Sequence, residues 1–150
     1  MSGYLIDTSI LSTLAPDRPP IPRELSSWII EQGERGTLFT SAIVVLEIRR
    51  GIASLKRAGG SMRAERLAGW LGSMIEQFEE NLLAVDTAVA ISAGDLEDEV
   101  RAKGRSPGTA DILIAATARV HELTVLTANA RHFDVVGVNH FDPFKADLPR

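Results

Sequence analysis

The sequence predicts an α/β fold, a central parallel sheet with helices on both faces. Three observations carry this expectation. Short apolar runs suited to buried strands recur along the chain, at Tyr4-Leu5-Ile6, Leu82 to Val85 and Leu123 to Leu126. Helix-length segments with apolar residues on one face separate them, which is the pattern of strands joined by crossover helices. One such segment, Ala110 to Val120, is apolar almost all round and is expected to be a central, buried helix.

Taken in order, the first apolar run leads straight into Asp7-Thr8-Ser9, polar residues of the kind that cap a helix. Pro16, Pro19, Pro20 and Pro22 interrupt the pattern, and Leu25, Trp28 and Ile29 then fall at helical spacing before Gly33 and Gly36. Thr37 to Thr40 is a candidate short strand. A long helix is expected from Ser41, because Val44, Ile48, Ile52 and Leu55 recur every three or four residues until Gly59-Gly60 stops it. Another runs from about Met62 to Phe78. Val89, Ala93, Leu96 and Val100 mark a further amphipathic helix, Ser106 to Thr109 a turn with Thr109 as helix cap, and Val135 to Phe141 a fourth strand.

The 150 residues, 45% apolar and 24% charged, are read as one globular domain, 1–150. There is no cysteine, so disulfides, thiolate nucleophiles and Cys-based zinc sites are excluded. No apolar run approaches the roughly 18 residues of a spanning helix, and the first residues lack the pattern of a signal peptide; the expected location is cytoplasmic, with no membrane contact. Charge is uneven. Residues 48–66 hold six basic residues against Glu65 alone, whereas 76–99 hold eight acids and no Lys or Arg. Solvated helix faces explain both segments, and the first is also a candidate strip for polyanions.

Four polar residues stand where chemistry is expected. In a parallel sheet, ligands bind beyond the carboxyl ends of the strands, and Asp7 follows the first strand directly, although a helix cap explains it as simply. Glu47 lies within or beside the apolar stripe of its helix, where a carboxylate must be paired, metal-bound or neutralised; Arg49 and Arg50 are the local candidates for pairing. Asp111 is the only charge on an apolar helix, with a first-turn dipole role as the alternative. Asn129 lies just past the third strand, where a turn role is the simpler reading. Together the four can converge at one sheet edge. Oxygen ligands without Cys or a His pair suit Mg²⁺ or Mn²⁺ better than zinc. Signatures of phosphate-cradling loops, zincins and the nucleophile elbow do not occur, and His121, His132 and His140 are expected at the surface or in the core.

These residues resemble the PIN-domain ribonucleases, in particular the VapC and FitB-like toxins of bacterial toxin-antitoxin systems. The resembling pieces are Leu5-Ile6-Asp7-Thr8-Ser9-Ile10, Ser41 through Gly51, Ala110 through Ala118, and Leu126 through Phe133, with 40 residues from Asp7 to Glu47, 64 to Asp111 and 18 to Asn129. The resemblance implies a three-layer α/β/α sandwich and an endoribonuclease that hydrolyses RNA with Mg²⁺, or Mn²⁺, and metal-activated water. Asp7 and Asp111 are then the principal metal ligands, with Glu47 positioning the ion or activating water, while Ser9 and Thr127 orient carboxylates. Asn129 replaces an Asp frequent in close relatives. Arg49, Arg50 and Arg57 are candidate RNA phosphate contacts. The implied partners are a VapB- or FitA-like antitoxin, operator DNA only through that antitoxin, and a second copy in a homodimer. The antitoxin is expected to offer a basic or amphipathic tail to the acidic pocket and an apolar helix to a groove; Leu25, Trp28, Ile29, Ile52 and Leu55 are candidates for that groove, with core burial as the alternative. A catalytically impaired RNA- or protein-binding module is the competing reading.

Overall fold

The computed structural model describes residues 3–150. Five parallel strands form the sheet: β1 (Gly3–Ile6), β2 (Leu38–Ser41), β3 (Leu82–Leu83), β4 (Leu123–Leu126) and β5 (His140–Phe141). Their spatial order is β3-β2-β1-β4-β5. The chain therefore builds outward from β1 on one side, then returns to start the other side at β4. Such a reversal leaves a crevice beyond the carboxyl ends of the two central strands. Here those ends are matched in register, with Ile6 opposite Leu126, so the residues that follow them are neighbours.

The helices are α1 (Thr8–Leu11), α2 (Arg23–Glu34), α3 (Ala42–Arg57), α4 (Ser61–Phe78), α5 (Thr87–Ala102), α6 (Thr109–His121) and α7 (Ala130–Asp134). They flank the sheet, with α3 packed against α4 and α5 against α6. Local chemistry explains the long ones. Ser41 caps α3, its hydroxyl accepting from the Ile43 amide at 3.2 Å, and Asp86 caps α5 by accepting from Val89 at 3.0 Å. The α3 face with Val44, Ile48 and Ile52 is buried. Helix α6 is buried from Ile112 through Ala118 except for half-buried Leu113, as its all-round apolar sequence requires.

Three expectations need correction. The strand expected over 135–141 is only His140–Phe141; Val135 instead closes α7, and Gly137 adopts φ +69°, which breaks an extended run. The strand expected over 82–85 ends at Leu83, leaving Ala84 and Val85 exposed. The cap of α6 is Gly108, with Thr109 already helical. Of the residues considered for a groove, Leu25, Trp28, Ile29 and Ile52 belong to the core, and Leu55 is half-buried against it. The eight acids of 76–99 are all exposed, as a solvated face demands.

Candidate active site at the carboxyl edge of the sheet

The amide of Asp7 donates to the Leu126 carbonyl at 3.1 Å, extending the β1–β4 pairing by one residue before the chain turns into α1. The Asp7 side chain is thereby fixed at the centre of the crevice, with the residue only 3% exposed. Its Oδ1 accepts from the Ser9 hydroxyl at 2.6 Å and from the Ile10 amide at 3.2 Å. The capping role and the site role are thus the same geometry. Ser9 in turn accepts from the Ala128 amide at 2.9 Å, so one hydroxyl links the ends of the two central strands. Thr127, fully buried, accepts from the Asn129 amide at 2.9 Å.

Burial pushes the Asp7 carboxyl above its ordinary range; hydrogen bonding from Ser9, Thr127 and Ile10 opposes this, while repulsion from Asp111 adds to it. The two acids are therefore close enough to repel each other. Asp111, in the first turn of α6, is partly exposed, and its Oδ2 lies 2.9 Å from His132 Nδ1. Glu47, half-buried on the second turn of α3, accepts from the Thr8 hydroxyl at 2.7 Å. It makes no ion pair with Arg49 or Arg50 among the described residues; both point to solvent, as do Lys56 and Arg57. Asn129 is exposed at the start of α7, and its side chain caps nothing there.

Two partners escaped sequence reasoning. Thr8 reads only as one of three polar residues suited to capping a helix, yet its hydroxyl donates to Glu47. His132 is at the surface, as expected for the histidines, but it meets Asp111 across 21 positions of sequence. No local spacing signals such a contact, because it depends on how α7 packs against α6.

The donor set suits a hard, oxygen-seeking cation. Among the described residues no three His, Asp or Glu side chains converge to enclose a metal ion. Mg²⁺ retains much of its hydration and commonly binds through one or two carboxylates plus substrate phosphate, so it does not need a closed cage of three.

The PIN domain family matches residues 4–139. VapC ribonuclease Y4jK of Sinorhizobium fredii is 30% identical over 94% of this chain and 97% of its own length, and Toxin FitB of Neisseria gonorrhoeae is 31% identical over 93% and 97%. The crystal structure of FitAcB from Neisseria gonorrhoeae superposes with a TM-score of 0.80 at 30% identity, covering 95% of this chain and 99% of that one. DNA-bound VapBC from Salmonella typhimurium superposes with a TM-score of 0.76 at 25% identity, over 95% and 99%. The all-parallel five-stranded sheet flanked by helices accords with this match, and the chain belongs to the PIN domain family.

Proposed function

We propose that the protein is a Mg²⁺-dependent endoribonuclease, the toxin of a toxin-antitoxin pair, working in the cytoplasm and as a homodimer. One observation carries the chemical part: Asp7 is held buried and destabilised as an anion, facing Asp111, at the one place where the sheet order reverses. An acid kept at such cost is expected to have a cationic or phosphate-linked role. The biological part is supported by relatives named as a VapC ribonuclease and Toxin FitB, and by similar structures of FitAB and VapBC complexes, some bound to DNA. On this reading operator DNA is reached through the antitoxin.

Asp7 and Asp111 would hold the ion, directly or through water, with Glu47 oriented by Thr8 toward the attacking water. A divalent ion held there would supply Lewis-acid stabilisation of charge at the scissile phosphate and lower the pKa of its water, so that no protein nucleophile would be needed. Ser9 and Thr127 keep the Asp7 carboxylate in one orientation. His132 does the same for Asp111. The antitoxin reading has a physical site as well. A cavity of about 390 Å³ opens between α2 and α4, lined by Ile30, Met74, Phe78 and Trp70, and Ile30 is 58% exposed. It suits an apolar helix of the antitoxin.

Calorimetric titration with Mn²⁺ tests the ribonuclease reading against an impaired binding module. Saturable binding that Asp7→Asn abolishes, and that Asn129→Asp tightens by adding a charge at the crevice, is the expected result. No saturable binding in the unmodified protein supports the non-catalytic module instead.

A further inference from the structure

A second cavity of about 390 Å³ opens beside Asp111, between the loop that joins α5 to α6 and helix α7. Its walls carry Arg105, Arg131 and His132, with Asp111 at one edge. Both arginines are exposed and make no ion pair among the described residues. The acid nearest in sequence to Arg131, Asp134, is engaged elsewhere, its Oδ1 lying 2.8 Å from His140 Nε2. The cavity therefore presents two unpaired guanidinium groups beside the Asp111 carboxylate.

The backbone fixes this arrangement. Gly104 has φ +72°, its amide donates to the Arg101 carbonyl at 2.9 Å, and the Arg105 amide donates to the Val100 carbonyl at 3.1 Å. This doubly bonded helix ending commonly places an apolar residue at the position of Arg105, where it packs back on the helix. Here a charged group takes that place. On the other wall, Lys103 donates to the Val135 carbonyl at 3.3 Å, tying the end of α5 to the end of α7.

We propose that this cleft binds the RNA backbone, Arg105 and Arg131 each contacting a phosphate on the strand next to the one positioned at Asp7 and Asp111. The assignment rests on the ribonuclease reading and places its substrate. An acidic pocket repels a polyanion, so cationic groups at its rim are needed to bring the strand close, and the fork of a guanidinium matches phosphate oxygens. The basic residues of α3, by contrast, do not line this cleft.

The test is binding of a short fluorescent single-stranded RNA of mixed sequence, followed by anisotropy at several salt concentrations in the Asp7→Asn background, which keeps the RNA intact. Adding Arg105→Gln and Arg131→Gln together is expected to weaken binding about tenfold or more and to flatten the slope of log affinity against log salt by about 1.4, two phosphates at about 0.7 each. Arg18→Gln with Arg23→Gln, exposed arginines that do not line this cleft, is expected to leave that slope nearly unchanged. Unchanged affinity and slope in the Arg105/Arg131 variant overturn the cleft assignment alone. RNA bound by neither form overturns the ribonuclease reading along with it.

Discussion

Asp7 joins two demands that oppose each other: it caps α1 through the Ile10 amide, and it lies buried beside Asp111. Its folded-state pKa is raised, so the folded protein binds this proton more tightly than the unfolded chain does. Stability associated with the protonated carboxyl is complete below the unfolded value of about 3.8 and is lost as pH rises through the higher folded value. Asp7→Asn keeps an acceptor for Ser9 and Ile10 but removes the charge. The variant is therefore expected to melt at a higher temperature than the parent at pH 7 without divalent ions, with the gap closing as pH falls toward 4. Thermal melts across pH check this; a lower melting temperature for the variant at pH 7 would show that the charge is not a burden.

At the scale of elements, the strands and helices nearest the site were the ones most legible in sequence. Tyr4 to Ile6 and Leu123 to Leu126 announce themselves as apolar runs because both faces of a central parallel strand are covered. The edge strands were not legible in their true extent. With two residues each, β3 and β5 give too little periodicity, and Gly137, with φ +69°, keeps the second from starting earlier despite the apolar residues around it. The groove illustrates the same limit: Leu25 and Trp28 lie on α2 but belong to the core, with the Trp28 indole donating to the Pro149 carbonyl at 2.7 Å, whereas Ile29, itself buried, lines the floor of the cavity between α2 and α4. The neighbouring Ile30, facing α4, is the exposed one. Ile30→Glu is expected to weaken co-purified antitoxin about tenfold or more, by placing a charge in an apolar interface, while RNA cleavage by the free protein stays the same. Equal affinity for both forms would remove this groove from the interface.

For the whole molecule, Asp7, Glu47 and Asp111 are separated by 40 and 64 residues, and the sheet order decides their proximity. Returning to β4 beside β1 sets Thr127 next to Asp7, and the helix before β4 carries Asp111 to the same edge. The polar residues on apolar segments were visible in sequence because each sits where an isolated charge is costly. Their second partners, Thr8 and His132, were not, since nothing in the local sequence marks either one until the tertiary packing brings it to a carboxylate.

The most direct measurement is cleavage of RNA by the purified protein in Mg²⁺, compared with the same assay in a chelator and with Asp7→Asn and Asp111→Asn. The account predicts cleavage by the parent alone, with each variant and the chelated enzyme slower by about a hundredfold or more, several kcal/mol of transition-state charge stabilisation having been removed. Circular dichroism of both variants should remain that of the parent. Undiminished cleavage by both variants in the chelator would contradict the account.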